Sequence, residues 1–210
     1  MKLRIYLELI MKKFNILVFD DHPLVGVAIK ATLSLMSCVD SISSVYSFRS
    51  ALDVIKNKNI NFVILDINLS DGDGYDFYRR IKSHGYQGKV LFYSAEESSL
   101  YSKLAFKSGA DGYVCKSEHQ EILRDAVEGI SNGYTFFKFK SDKSGYENEE
   151  QVTLSNREAM VMSHLLNGKT NKDIGQLLKI SDKTVSTYKK RLFDKYSVNN
   201  LVELIKVVNV

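Results

Sequence analysis

FNILVFDD, residues 14–21, and FVILD, residues 62–66, decide the fold: each is a short apolar run that closes on acid. The first ends in Asp20-Asp21 and the second in Asp66. Runs of the same kind, rich in Val, Ile, Phe and Tyr, recur at 42–46, 89–93 and 112–115, which predicts five strands. Between them, apolar residues fall at three- and four-residue spacing over 24–36, 51–56, 75–82, 100–107 and 120–130, which predicts crossover helices. Nearly continuous apolar strands are buried on both faces, so the expected architecture is a parallel sheet with helices on either side and right-handed crossovers. The expected order is 2-1-3-4-5. It makes strands one and three neighbours and opens a crevice beyond their carboxyl ends. Asp20, Asp21 and Asp66 then meet.

Three carboxylates at adjacent strand ends raise one another's pKa unless a cation neutralises them. The expected guest is Mg2+, which takes oxygen ligands and is commonly held by one or two carboxylates plus a substrate phosphate. The third carboxylate becomes a nucleophile. Phosphoryl transfer asks mainly for positioning and charge neutralisation, and the same topology supplies both. The fourth strand ends at Ser94 and the fifth at Cys115-Lys116, facing the same crevice. Lys116 is assigned to the phosphoryl oxygens, and Ser94 to a hydrogen bond with one of them after transfer.

The 210 residues suffice for two modest domains, and 44% apolar with 26% charged residues is an ordinary globular balance. Charge is unevenly spread. Residues 14–134 carry 12 Lys+Arg against 15 Asp+Glu, net −3, whereas residues 151–210 carry 10 against 5, net +5. The basic half points to nucleic acid. The expected division is an N-terminal domain over 14–137, a charged, Ser/Gly/Asn-rich linker over 138–151 (KFKSDKSGYENEEQ) and a C-terminal domain over 152–210. Residues 1–13, MKLRIYLELIMKK, are interrupted by Arg4 and Glu8 and lack a cleavage site, so no signal peptide is expected. Met11-Lys12-Lys13 offers an alternative translation start. No apolar run reaches the roughly 18 residues of a membrane span. Cys38 and Cys115 show neither metal-ligand nor disulfide spacing, which fits a reducing cytoplasm. His22, His84, His119 and His164 are scattered and read as surface or partly buried side chains; His22 alone sits near the acids, in a loop over the crevice.

FDDHP (19–23), VILDINLSDGDG (63–74), VLFYSAEE (90–97) and GADGYVCKS (109–117) together resemble the landmarks of a bacterial response-regulator receiver domain, over residues 14–134. The resemblance implies a flavodoxin-like α/β fold. It makes Asp66 the phosphoacceptor, Asp20 and Asp21 the acidic metal pair, and Asn68 the donor of a backbone carbonyl to Mg2+. Ser94, Tyr113 and Lys116 become the switch hydroxyl, switch aromatic and phosphate-pairing lysine. It further implies that phosphorylation draws the hydroxyl to the phosphate and turns the aromatic inward, remodelling the face made by the fourth helix, fifth strand and fifth helix. Ser70 and Ser117 depart from the family, which usually has proline at the first position and often at the second. The acidic loop Ser70–Gly74 is no calcium loop, because Asp71 stands where that motif needs Gly and Phe77 where it needs Glu.

In the basic half, Ser155 with Glu158 three residues later forms a capping-box pattern, and Gly168 ends the helix it opens. Val161, Leu165 and Leu166 give that helix a buried stripe, as Ile174, Leu177 and Leu178 do for the next. Ser181 caps a third helix in which Val185, Tyr188, Leu192 and Tyr196 face inward, and Lys183, Ser186, Thr187 and Lys190 face out. Two short helices around a tight turn, the second basic and hydroxyl-rich, suggest a helix-turn-helix. Residues 154–205 resemble the four-helix LuxR-type DNA-binding domain without a gap, within the NarL/FixJ class and closest in kind to its virulence and fimbrial regulators. The resemblance implies that Ser186, Thr187 and Lys190 face base edges and that Lys172, Lys183 and Lys189 lie among the DNA contacts, the last two at phosphates. Lys179 replaces a glycine common in this turn, and Tyr188, at a usual histidine position, is core or contact. The last helix, with Leu201, Leu204, Ile205 and Val208 on one stripe, covers the core or serves the family's dimerisation.

The resulting expectation is a cytoplasmic, non-enzymatic two-component response regulator. A sensor histidine kinase phosphorylates Asp66, and the protein binds promoter DNA as a homodimer, with RNA polymerase a further partner. Two alternatives stand beside it. A Mg2+-dependent phosphohydrolase with an aspartyl nucleophile needs a second acid two residues after the first, where Asn68 stands. A phosphorylation-independent transcription factor would keep the receiver as an interaction module.

Overall fold

The computed structural model describes residues 13–96, 99–138 and 154–208. The segment before Lys13, and the linker beyond Lys138, lie outside the described residues. Two compact units emerge, Met1–Phe139 and Lys140–Val210.

In the first unit, β1 (Phe14–Phe19), α1 (Pro23–Leu33), β2 (Val39–Val45), α2 (Phe48–Asn57) and β3 (Phe62–Leu65) alternate as the apolar spacing dictates. Next come β4 (Asn68–Leu69), β5 (Gly72–Asp73), α3 (Gly74–Ser83), β6 (Lys89–Ser94), α4 (Ser99–Lys107), β7 (Gly112–Cys115) and α5 (Gln120–Ser131). The five long strands form one parallel sheet in the order β2-β1-β3-β6-β7. Counting long strands alone, that is 2-1-3-4-5. Val63, Leu65 and Phe19 are wholly buried, as central strands covered on both faces must be.

Several details differ from the sequence expectation: α1 ends at Leu33 rather than 36, and α2 begins at Phe48 rather than 51. β2 starts at Val39 rather than 42, because Asp40 and Ser41 are exposed on an edge strand and carry no apolar signal. The acidic stretch after Asp66 is a small antiparallel hairpin, Asn68 opposite Asp73 and Leu69 opposite Gly72, not a plain loop. Asp71 at its tip accepts the Phe48 N–H at 2.6 Å, and Asp73 caps α3 through the Tyr75 N–H at 2.8 Å. Phe19, Phe48 and Phe77 pack edge-to-face at 4.9–5.5 Å between ring centres. This cluster ties the end of β1 to the starts of α2 and α3.

Gly74 closes that region on itself, since a Cβ there would sit 2.1 Å from the carbonyl oxygen of Asp66 and 2.8 Å from Ile67 Cα. Neither backbone atom can swing aside. Gly74→Ala is therefore expected to destabilise the unit by about 3 kcal/mol, the upper part of the overpacking range, read as a loss in urea-denaturation free energy. An unchanged midpoint would show that the hairpin gives way freely.

Among its described residues the second unit has helices alone: α6 (Asn156–Leu166), α7 (Asn171–Leu177), α8 (Asp182–Tyr196) and α9 (Leu201–Val208). The capping box forms as the sequence indicates, with Ser155 and Glu158 exchanging backbone bonds at 3.3 and 2.8 Å. Thr170 and Asp173 repeat the motif at α7. Glu158 also accepts Lys195 Nζ at 2.7 Å, joining α6 to α8. Burial would raise its carboxyl, but Lys195 and the Ser155 bonds prevail and hold it below the usual range. Met160, Val161, Ile174, Val185, Leu192 and Leu204 are buried completely. Leu177 is not: it is 39% exposed, because α7 ends there and Leu178, at 1%, fills the inward position.

Lys179, in the turn before α8, has φ of 52°, a left-handed conformation that costs a side-chain-bearing residue about 1 kcal/mol. Lys179→Gly is expected to recover part of it, about 0.5 kcal/mol after the extra freedom glycine gives the unfolded chain is subtracted. Equilibrium denaturation checks the sign.

Candidate functional site: an acidic crevice and an exposed basic helix

Asp20 follows the last residue of β1, Asp66 follows β3, Ser94 ends β6 and Lys116 follows β7. The parallel sheet aligns these four carboxyl ends, so residues 20, 66, 94 and 116 share one rim. Asp20 and Asp66 are each 3% exposed. Lys116 Nζ lies 2.6 Å from Asp20 Oδ2 and 2.8 Å from Asp66 Oδ2. One ammonium thus bridges two buried carboxylates. Ligand atoms of Asp20, Asp21, His22 and Asp66 all lie within 4.8 Å of one another. His22, in the loop over the crevice, reaches Asp20 at 3.2 Å and Asp21 at 3.0 Å through Nδ1.

The electrostatics follow from this crowding. Burial pushes the Asp66 carboxyl up, the Lys116 ammonium and its hydrogen bond pull it back, and Asp20 pushes it up again; the net is above the usual carboxylate value. Burial pulls Lys116 down, yet Asp66 and Asp20 together outweigh it and raise its pKa. Lys116 is therefore a firmly held cation.

Around this centre, Asn68 donates its backbone N–H to Asp66 Oδ1 at 3.3 Å and its side-chain amide to Glu96 Oε1 at 3.3 Å. The Ser94 hydroxyl is wholly buried and makes no hydrogen bond among the described residues. Tyr113, 6% exposed, donates its hydroxyl to the Glu96 carbonyl at 2.5 Å. Burial above all, with Tyr75, Cys115, Glu96 and Tyr101 adding, pushes that phenol far up, so it stays a neutral donor. Glu96 was not singled out from the sequence; its only signal is its place two residues beyond Ser94. Cys38 and Cys115 are free and buried.

In the second unit, α7 and α8 are joined by the four residues 178–181. Gly175 lets the turn come back closely, since a Cβ there would meet the Ile180 carbonyl at 2.8 Å. Lys172, Lys183, Ser186, Thr187 and Lys190 are exposed, while Lys189 is half-buried with its ammonium 5.7 Å from the centre of the Phe193 ring. Tyr188 is half-buried too, with the Arg191 guanidinium 5.6 Å from its ring. On α9, Leu204 is core, Leu201, Ile205 and Val208 are partly covered, and Val202 and Val207 stand exposed.

Residues 16–128 match the response regulator receiver domain family, and residues 152–208 match the luxR family of bacterial regulatory proteins. The chain is 33% identical to the Fimbriae Z protein of Escherichia coli over 201 residues, covering 93% of this chain and 96% of that protein. It is also 33% identical to the virulence-factor transcription regulator BvgA of Bordetella pertussis over 198 residues, 91% of this chain and 94% of that one. A solved structure of RcsB from Salmonella enterica serovar Typhimurium, bound to promoter rprA with the phosphomimetic BeF3−, superposes with a TM-score of 0.63. It is 21% identical and covers 94% of this chain and 99% of its own, which shows a shared fold.

Proposed function

This chain belongs to the response regulators with a LuxR-family C-terminal domain, and on that premise we propose a transcription regulator whose input is phosphoryl transfer to Asp66 from a sensor histidine kinase and whose output is binding of promoter DNA. The receiver would span 14–137, a connector 138–151 and the DNA-binding domain 152–210. The observation that carries the reading is Lys116, whose ammonium bridges Asp20 and Asp66 at 2.6 and 2.8 Å. An aspartate so placed has its charge partly offset before a phosphoryl group arrives, and the same cation can follow the negative charge onto the phosphoryl oxygens. As the bond from phosphorus to an Asp66 oxygen forms, the bond to the donor nitrogen breaks.

The hard carboxylate oxygens of Asp20, Asp21 and Asp66 fit Mg2+, with the Asn68 carbonyl as a further ligand. When bound, the ion supplies charge neutralisation on the transferring group. Ser94, buried at the same rim, would donate its hydroxyl to a phosphoryl oxygen on Asp66. Movement of Ser94 would release Tyr113 from Glu96 and carry the change to α4, β7 and α5.

On the output side, the exposed basic face of α8 supports Lys183 and Lys190, with Lys172 on α7 and Lys189 beside them, as DNA contacts, and Ser186 and Thr187 at base edges. A two-fold dimer on paired half-sites is the expected assembly, and RNA polymerase a downstream contact. No helix among the described residues is long and apolar enough to cross a membrane, which fits action in the cytoplasm.

Incubation of the full chain with acetyl phosphate and Mg2+ should add one phosphoryl group, located by peptide mapping at Asp66. Label on a serine or threonine, or no label at all, would contradict the assignment.

A further inference from the structure

A hydroxyl has one proton to donate and two lone pairs to accept with, and on α8 both protons are already committed. Ser186 Oγ donates to the Asp182 carbonyl at 3.0 Å, and Thr187 Oγ1 donates to the Lys183 carbonyl at 3.0 Å. Ser186 is held from a second side, because Asn171 on α7 donates its side-chain amide to Ser186 Oγ at 3.0 Å. With the Asn171 amide donating to Ser186, the Ser186 proton is left to the Asp182 carbonyl.

We infer that Ser186 and Thr187 meet DNA as hydrogen-bond acceptors only, with Asn171 enforcing that polarity at Ser186, so that on the strand each hydroxyl contacts α8 selects a base bearing an exocyclic amino group over one bearing an exocyclic oxygen. The inference rests on the reading of α8 as the base-facing helix. In the major groove the amino groups belong to adenine and cytosine, whereas guanine and thymine offer oxygen acceptors to the same approach. An acceptor-only hydroxyl placed against guanine or thymine would face lone pairs with lone pairs. To donate instead, Thr187 must abandon one bond, and Ser186 must turn out of two. Ser186 is therefore the stricter reader.

Lys190, one helical turn beyond Ser186 and Thr187, carries donors and no acceptor, which suits guanine. The outward face of α8 thus presents a fixed sequence of polarities: acceptors at 186 and 187, donors at 190. Asn171 is a positioning residue, since it acts through Ser186 rather than touching the base.

The test is selection of bound duplexes from a randomised library by the full chain treated with acetyl phosphate, comparing wild type with Ser186→Ala and Asn171→Ala. The wild type should enrich adenine or cytosine over guanine or thymine at one position by about fivefold, or about 1 kcal/mol. Ser186→Ala should flatten that position alone. Asn171→Ala should relax the same position and no other, whereas a merely structural role would weaken every position evenly. In the selected duplex, replacing an adenine at that position by purine, which lacks the amino group, should cost the wild type about the same fivefold and Ser186→Ala nothing. Enrichment of guanine or thymine at the position that Ser186→Ala flattens would overturn the acceptor-only assignment, as would a full set of preferences that Ser186→Ala leaves intact. A wild type that enriches no sequence would instead bring down the DNA-binding reading itself.

Discussion

Asp66→Asn is expected to reduce acetyl-phosphate labelling to background while raising the melting temperature of the N-terminal unit in Mg2+-free buffer at neutral pH. The two effects have one cause. Asp66 is 3% exposed, and its carboxyl sits above the usual range because burial and Asp20 together outweigh Lys116. A carboxylate whose native pKa is raised binds its proton more tightly folded than unfolded. Its ionisation therefore removes stability as pH rises from the unfolded value of 3.8 through the higher native one. At neutral pH that cost is fully present. Asparagine keeps the shape without the charge, and Lys116 still has Asp20 at 2.6 Å. The gap in melting temperature should be small near pH 3.5 and open toward pH 7.5, and Mg2+ should shrink it by stabilising the wild type. Melts followed by circular dichroism at the two pH values, with EDTA or Mg2+, read this directly. A variant less stable than wild type at pH 7.5 would mean that Asp66 is held mainly as the structural partner of Lys116.

Lys116→Ala should have the opposite signature, losing stability and phosphoryl transfer together. With the ammonium gone, Asp20 and Asp66 remain buried without their shared counter-ion. Removing one partner of a buried ionic cluster costs about 3–5 kcal/mol. The raised pKa of Lys116 means its contribution is complete below the ordinary lysine value of 10.5 and is lost only as pH climbs through the higher native value. The wild type is therefore protected throughout the neutral range, and the variant has its deficit there. Acidification should narrow the deficit as the carboxylates protonate, and Mg2+ should restore part of it. Loss of a preorganised charge at the transferring group predicts a labelling rate at least about a hundredfold lower, still directed to Asp66. If the variant were labelled at the wild-type rate, Lys116 would be a structural bridge with no part in transfer.

Much of this was legible in the chain because the deciding signals are local. FNILVFDD and FVILD announce buried strands through continuous apolar residues, and their terminal acids then have only one place to be once strands one and three are adjacent. The capping box at Ser155 and the N-cap at Ser181 similarly declare helix starts by residue type alone. What escaped depends on partners far apart in sequence. Asp71 on the Phe48 N–H, Glu96 between Asn68 and Tyr113, and Asn171 on Ser186 are bonds across 23, 28, 17 and 15 positions, and no spacing rule encodes them. The β4–β5 hairpin escaped because two-residue strands are too short for alternation to show, and glycine with aspartate reads as loop. Leu177 misled for a simpler reason: periodicity places a residue on a face, and it cannot say that the helix stops there.

Charge placed on Asp66 is expected to govern what the basic domain does. The most direct measurement is capture of genomic DNA fragments by the full chain, with and without acetyl phosphate and Mg2+, for wild type and Asp66→Asn in parallel. The phosphoryl donor should raise occupancy of a discrete set of fragments by about tenfold for the wild type and leave Asp66→Asn unmoved. Equal occupancy by the wild type with and without donor, or a donor-dependent rise in the variant, would contradict the account.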